Sequence, residues 1–287
     1  MKTQSGRVIK QISSTFFVDT QNGVKRCFAR KKIRQELEGN IFVGDMVEIS
    51  SERDGFVIER VLPRKNRLIR PYVSNVDICF IVIAPEPQPD FLLVDKIIVN
   101  CHYQMITPVL VCNKCDISLV DISEYKNVLQ CICASAQSGV GLNKILELSR
   151  GKTVCFAGQS AVGKSSLINA LLESDTLEVG ELAKKIKRGK NTTRKTEILN
   201  LGNGTYFVDT CGFSMLETVD VQPEDLRLYF DDLEEFRRDC KFNTCTHIDE
   251  PDCACKPHVG KEIGEGRYER YKTIYNELKE RRDNKYD

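Results

Sequence analysis

An eight-residue stretch in the middle of the chain, Gly158-Gln159-Ser160-Ala161-Val162-Gly163-Lys164-Ser165, constrains the fold more than any other feature. It fits G-x-x-x-x-G-K-[ST], and its flanks separate it from a chance glycine-rich turn. An apolar run, Thr153–Ala157, precedes it, and apolar residues at helical spacing follow over 164–172. Strand, loop and helix in that order gather backbone N–H groups and the positive end of a helix around one point, which suits a phosphate chain. Lys164 would reach the outer phosphates and the Ser165 hydroxyl would ligate Mg²⁺. The candidate phosphate-binding residues are therefore Gly158, Gln159, Ser160, Ala161, Val162, Gly163, Lys164, Ser165 and Ser166.

The surroundings of this loop call for a parallel sheet. Residues 78–84, 107–112, 153–157 and 205–208 are near-continuous apolar runs, and stretches of helical spacing lie at 91–99 and 164–172. Buried strands alternating with helices give an α/β P-loop domain, here assigned to residues 71–218. Residues 1–70 have another rhythm. Alternating stretches such as Val8-Ile9-Lys10-Gln11-Ile12 and Phe16-Phe17-Val18 are cut by the turn signals Asn22-Gly23, Gly44-Asp45 and Asp54-Gly55. So many short strands in so few residues predict a small all-β barrel of OB type. Pro63-Arg64-Lys65-Asn66-Arg67 then reads as a linker. Residues 219–287 open with an acidic helical pattern over 223–239, continue through a Cys/His cluster, and end in a highly charged helix from about Gly266 to Arg282. The fold class expected is multidomain, with the divisions 1–70, 71–218 and 219–287.

Composition narrows the setting. The 287 residues, 41% hydrophobic and 29% charged, are enough for more than one core and a solvated surface. The first residues show no apolar segment of a signal peptide, and the longest apolar run, 78–84, is too short to span a bilayer. Thirteen cysteines, an odd number scattered over a chain of this size, do not make a secreted disulfide framework. A cytoplasmic protein acting as a monomer, with some cysteines reserved for metal, is expected. Net charge is only +1, yet residues 1–70 hold 15 Lys and Arg against 8 acidic residues, and residues 220–287 hold 13 against 18. A basic barrel can meet a phosphate backbone by releasing counterions; it can also be an ordinary basic surface.

A phosphate loop does not name the base. Asn113-Lys114-Cys115-Asp116, at the end of the run 107–112, fits N-K-x-D. The Asp116 carboxylate can accept from the guanine N1–H and N2–H₂ edge, which adenine does not offer. Asn113 and Lys114 would buttress the loop and cover the base. Ser135-Ala136, after 129–133, fits the element that turns a backbone N–H toward the guanine O6. Asp209-Thr210-Cys211-Gly212 fits D-x-x-G, with Asp209 holding a Mg²⁺-bound water and the Gly212 N–H meeting the γ-phosphate. Thr192 or Thr193 can supply a hydroxyl that closes the Mg²⁺ shell. Together these motifs imply binding of GTP and GDP and hydrolysis of GTP. Their order is permuted: the base-recognition loops precede the phosphate loop, whereas in ordinary GTPases the phosphate loop comes first. Joining old termini and opening new ones leaves the site geometry intact.

Cys240-x₄-Cys245-x-His247-x₅-Cys253 offers three thiolates and an imidazole in one short segment, a donor set for a closed structural Zn²⁺ site. Cys255 is a fifth candidate that could exchange with Cys253. Cys79, Cys112 and Cys155 lie in apolar runs and are read as core residues.

With these motifs in hand, the chain resembles the ribosome small subunit-dependent GTPase A family, of circularly permuted GTPases. The resemblance rests on Pro63-Arg64-Lys65 with Pro71, the permuted N-K-x-D, Gly158 to Ser166, Asp209-Thr-x-Gly-Phe213, and the Cys240/Cys245/His247/Cys253 cluster. It implies an N-terminal OB domain, a central GTPase and a C-terminal zinc domain. It also implies a role in late maturation of the small (30S) ribosomal subunit, with rRNA contact and hydrolysis stimulated by the subunit. Likeness to the switch threonine of related G-domain families favours Thr193 over Thr192 as the Mg²⁺ ligand. The family's histidine before the switch threonines, to which catalysis is attributed, is Asn191 here, and the usual Pro of D-x-P-G is Cys211. The candidate catalytic residues are accordingly Lys164, Asn191, Thr193 and Gly212. Two other functions fit the motifs: a GTPase serving another RNA or protein, and a binding module that holds GTP as a structural ligand.

Overall fold

The computed structural model of the chain describes residues 3–30, 33, 41–52, 55–69, 72–173, 196–209 and 221–284. Five strands come first: β1 (Thr3–Ile12), β2 (Thr15–Thr20), β3 (Gly23–Ala29), β4 (Met46–Glu52) and β5 (Gly55–Val61). They run β1-β2-β3-β5-β4, and β4 returns to β1, so the barrel closes. Closure removes the free edges that an open five-stranded sheet would present. One face of each strand fills the inside, with Val8, Phe16, Val18, Cys27, Val47, Ile49 and Ile58 buried together.

The segment read as a linker is pinned. Arg64 makes a two-pronged ion pair with Asp45, Nε to Oδ1 at 2.7 Å and Nη2 to Oδ2 at 2.8 Å. Asp45 is fully buried and also accepts from the Ser74 hydroxyl and the Phe42 amide. Asn66 exchanges two hydrogen bonds with the backbone of Val76. A buried carboxylate holds its place only when charge and hydrogen bonds compensate for lost water, so this stretch is a fixed strap. It leads into a hairpin, β6 (Arg67–Ile69) and β7 (Tyr72–Ser74).

The second sheet is built as the apolar runs predict. β8 (Ile78–Ile83), β9 (Thr107–Cys112), β10 (Gln130–Cys133), β11 (Thr153–Ala157) and β13 (Tyr206–Asp209) are parallel, in the order β10-β9-β8-β11-β13. β12 (Glu197–Asn200) adds antiparallel at the β13 edge. On one face α1 (Phe91–Tyr103) buries Val94, Ile97, Ile98 and Cys101 against Cys79, Ile81, Ile83, Leu110 and Cys155. On the other, α2 (Leu142–Ser149) and α3 (Lys164–Glu173) bury Ile145, Leu146, Leu167 and Leu171 against Phe80, Val82, Phe156 and Phe207. The cysteines read as core residues, Cys79, Cys112 and Cys155, are buried there.

The acidic pattern over 223–239 is two pieces. A 3₁₀ segment, Pro223–Tyr229, gives way at the extended, buried Phe230 to α4 (Asp231–Arg237). Burial of the Phe230 ring against Tyr271 outweighs helical continuity there. The last helix, α5 (Glu265–Asp283), is charged overall but carries one stripe, Tyr268, Tyr271, Ile274 and Leu278, that packs with Phe230, Leu233 and the cysteines. Arg267 is buried at its start. It is paired to Asp95 of α1 and, at 2.8 Å, to Asp232, while Arg270 pairs with the other Asp95 oxygen at 2.5 Å. Burial pulls the Arg267 guanidinium down, but the Asp95 and Asp232 carboxylates outweigh it and hold it above the ordinary arginine value. These pairs fix α5 to α1. No helix among the described residues is long and apolar enough to cross a membrane.

Candidate functional site

β11 ends at Ala157 and α3 begins at Lys164, so the glycine-rich loop turns at the carboxyl edge of the parallel sheet. That edge is where open α/β sheets hold ligands. Gly158, at φ +129°, comes so close to β8 that a Cβ would lie 2.2 Å from the Val82 carbonyl oxygen. Gly163, at φ +92°, would put a Cβ 2.5 Å from the Asn113 side-chain nitrogen. Both glycines are thus demanded by close approach as well as by backbone conformation. Ser160, Ala161, Ser165 and Ser166 are exposed on the loop and first helical turn, and Val162 is buried beneath. The Lys164 ammonium donates to the carbonyls of Gly158 at 2.7 Å and Gln159 at 2.5 Å. Burial pulls it below the usual lysine range.

Gln159 reaches a neighbour that the motif does not predict. Its side-chain oxygen accepts from the Asp90 amide at 2.9 Å, and its nitrogen donates to the Gln88 carbonyl at 3.2 Å. Asp90 in turn caps α1 by accepting from the Leu93 amide. The phosphate loop is thereby tied to the start of the helix whose Asp95 holds Arg267 and Arg270.

The two loops read as base-recognising stand next to it. Asn113 follows β9 and is buried. Its Nδ2 donates to the Val162 carbonyl at 2.9 Å, and its Oδ1 accepts from the Ala136 amide at 3.3 Å. One side chain therefore spans the phosphate loop and the Ser135-Ala136 loop. Lys114, at φ +59°, donates to the carbonyls of Glu86 at 2.6 Å and Ala161 at 3.0 Å. The Cys115 amide bonds the Ala134 carbonyl, and Asp116 is exposed. Ser135 is buried, and its hydroxyl accepts from the amides of Gln137 and Ser138, shaping the turn. Residues 113–116, 135–136 and 158–166, separate in sequence, form one rim. The backbone of Asp209 closes β13 on the far side of β11. Asn191, Thr192, Thr193 and Gly212 lie outside the described residues.

The Cys/His cluster assembles as a unit. The ligand atoms of Cys240, Cys245, His247 and Cys253 lie within 4.8 Å of one another. His247 Nδ1 is 3.7 Å from the Cys240 sulfur and 3.4 Å from that of Cys253. A tetrahedral zinc with bonds of about 2.0–2.3 Å sets its ligand atoms roughly 3.5–3.8 Å apart, so the donor set fits that ion. Cys255 stands beside this group of four: its thiol donates to the Leu233 carbonyl and also meets the Cys240 and Cys253 thiols. Glu250, unforeseen from the sequence, folds the ligand loop by accepting from the Thr246 amide and hydroxyl at 2.6 and 2.8 Å and the Ile248 amide at 3.0 Å. Burial pushes its carboxyl up, but these donors outweigh it and bring it down to about 2. Tyr268 and Tyr271 of α5 donate to the carbonyls of His247 and Thr246.

Comparison with known proteins agrees with this arrangement along the whole chain. The profile described as RsgA GTPase matches residues 61–219, and that described as RsgA N-terminal domain matches residues 5–57. A protein of Caldanaerobacter subterraneus subsp. tengcongensis named small ribosomal subunit biogenesis GTPase RsgA is 39% identical, over 100% of this chain and 99% of its own length. The chain belongs to the RsgA GTPase family. A second RsgA protein of that name, from Thermotoga neapolitana, is 39% identical over 88% of each chain. The crystal structure of YjeQ from Thermotoga maritima superposes with a TM-score of 0.81 at 33% identity, covering 96% of this chain and 99% of that one. YloQ, described as a circularly permuted GTPase, does so with a TM-score of 0.79 at 30% identity, covering 98% and 96%. Like other members of the RsgA family, the chain is a GTP-hydrolysing enzyme with its recognition motifs in permuted order.

Proposed function

We propose that this GTPase acts in late maturation of the small (30S) ribosomal subunit, meeting rRNA through its basic barrel and hydrolysing GTP faster once docked. The observation that carries the enzymatic part is the Asn113 clamp, which joins the guanine-reading loops to the phosphate loop. The matches to relatives named for small-subunit biogenesis, spanning barrel, sheet and Cys/His segment alike, support the biological part. The divisions 1–70, 71–218 and 219–287 correspond in this reading to docking, hydrolysis and a zinc-held platform.

In the reaction, GTP phosphates take the place of the loop carbonyls that now accept from Lys164, and the ammonium moves to the β- and γ-oxygens. Asp116 accepts from the guanine edge while Asn113 and Lys114 hold its loop. Ser165 and Thr193 would hold a Mg²⁺ ion brought with the nucleotide, Asp209 acting through a water, and the ion would supply charge to offset the phosphates. The Gly212 amide stabilises charge on the γ-phosphate. Phe213 stands where many GTPases carry a water-orienting glutamine, and a phenyl ring cannot make that hydrogen bond. Asn191 can orient water but cannot take up a proton near neutral pH. Hydrolysis by the free protein is therefore slow, and the subunit supplies the missing order; trans-acting help of this kind reaches about 10³–10⁵-fold elsewhere. Cys240, Cys245, His247 and Cys253 would hold one structural zinc ion.

Multiple-turnover GTP hydrolysis with and without purified small subunits tests the reading. Strong acceleration supports it. Equal rates, or acceleration by any RNA at the same salt, overturn the small-subunit assignment.

A further inference from the structure

β1 belongs to both halves of the molecule. Thr3 to Arg7 pair with Ser50 to Met46 of β4 and close the barrel. Further along, Lys10 is the partner of Glu197 in β12, at the edge of the second sheet. Among the described residues this is the one ladder pair that joins barrel and sheet, and a charge crosses it: Lys10 Nζ lies 2.8 Å from Glu197 Oε2. Glu197 is in turn the ladder partner of Asp209 on its other side. Lys10, Glu197 and Asp209 thus lie abreast on three neighbouring strands.

A second clamp sits at the other end of the same strand pair. Asn200 of β12 and Tyr206 of β13 are ladder partners, and both donate to one barrel carboxylate oxygen, Asp19 Oδ2, at 2.6 and 3.0 Å. The Arg7 guanidinium lies over the Tyr206 ring, 4.7 Å from its centre. The barrel therefore grips both ends of β12–β13. That strand pair leads out of the stretch carrying Thr192 and Thr193, and its last residue, Asp209, opens D-x-x-G. These polar contacts flank a packed join, since Ile9 of β1 and Phe17 of β2 lie in one apolar cluster with Ile198 and Val208, so a shift of the barrel is passed on to β12–β13.

We propose that Glu197 and Asp19 are positioning residues, which couple the seating of the barrel on its ribosomal partner to the placement of Asp209 in the nucleotide site. The inference rests on the small-subunit reading above. Coupling of this kind is reciprocal: if docking favours the GTP-loaded form, GTP loading favours docking by the same factor, typically about 5–150-fold.

The test measures small-subunit affinity of the full chain loaded with a non-hydrolysable GTP analogue and with GDP, and takes the ratio. It compares wild type with Glu197→Gln, the double variant Asp19→Asn/Glu197→Gln, and the charge swap Lys10→Glu/Glu197→Lys. GTPase kinetics with subunits and thermal unfolding accompany each. In the double variant the affinity ratio is expected to fall at least about fivefold toward one, with subunit-stimulated kcat falling and KM for GTP within about twofold. The charge swap is expected to recover most of what Glu197→Gln loses. An unchanged ratio in a double variant that unfolds at the wild-type temperature overturns the coupling. Loss in the single variant without recovery in the swap overturns the role of the Lys10–Glu197 pair. A wild type whose hydrolysis ignores the subunit removes the small-subunit reading itself, and this inference with it.

Discussion

Replacing Asn113 with alanine removes the clamp between the two halves of the proposed nucleotide site. The side chain is buried and makes two neutral hydrogen bonds, to the Val162 carbonyl at 2.9 Å and from the Ala136 amide at 3.3 Å. Each is worth about 1 kcal/mol net, and the stranded partners add a desolvation cost, so about 2–3 kcal/mol is at stake. Both partners belong to the loops proposed to touch nucleotide, one at the phosphates and one at the base. Because the clamp is already formed without nucleotide, the loss divides between unfolding stability and binding, the latter as an increase of up to about 30- to 150-fold in Kd for GDP. Titration of a fluorescent GDP derivative against wild type and Asn113→Ala reads this directly, with thermal unfolding as the check on folding. Gly163→Ala approaches the same contact from the other side, because its Cβ would meet Asn113 Nδ2 at 2.5 Å, and should weaken GDP binding in the same direction. A Kd within about threefold of wild type, with an unchanged unfolding temperature, for a folded Asn113→Ala protein would refute the clamp.

The Cys/His cluster predicts one zinc per chain by elemental analysis of protein purified without chelator, and its absence would remove the ion from the account; Cys245→Ser should destabilise the C-terminal segment while GDP binding persists. Glu250→Ala frees the Thr246 and Ile248 donors that shape the ligand loop, and should weaken zinc binding about 10- to 100-fold in competition with a chromogenic chelator. Asp95→Ala leaves two guanidiniums of α5 without their shared buried carboxylate, and should cost about 3–5 kcal/mol in urea unfolding; a change below about 1 kcal/mol would mean that the latch is replaced by water.

The sequence carried the local features that repeat a known physical pattern. The continuous apolar runs mark the parallel strands because such strands are buried on both faces. The strand, glycine-rich loop and helix over 153–173 could be read from one contiguous stretch, since the apolar run, the glycines and the helical spacing adjoin. Contacts between distant segments left no such trace. Nothing local distinguishes Arg64 from a surface arginine of a linker, because its partner Asp45 lies in a turn 19 residues earlier. Arg267 sits in a helix that reads as polar, and its burial depends on Asp95, 172 residues away. The acidic pattern over 223–239 looks helical throughout because charge periodicity is blind to Phe230, whose ring goes into the core and breaks the helix. Gln159 and Asp90 show the same limit at the site itself: the phosphate-loop pattern leaves that position open, and only the fold brings the cap of α1 to it.

The central claim is that guanine is read by residues 113–116, on a loop that precedes the phosphate loop in the chain. Asp116 is exposed on that rim, so replacing it leaves the core untouched. Asp116→Asn exchanges an acceptor-only carboxylate for an amide that both accepts and donates, which matches the 2-oxo edge of xanthine and mismatches guanine. The measurement is the ratio of Kd values for GDP and xanthosine diphosphate, in wild type and Asp116→Asn. The account predicts that wild type prefers GDP and that the variant inverts the preference. A variant that still prefers GDP, at wild-type affinity, would contradict it.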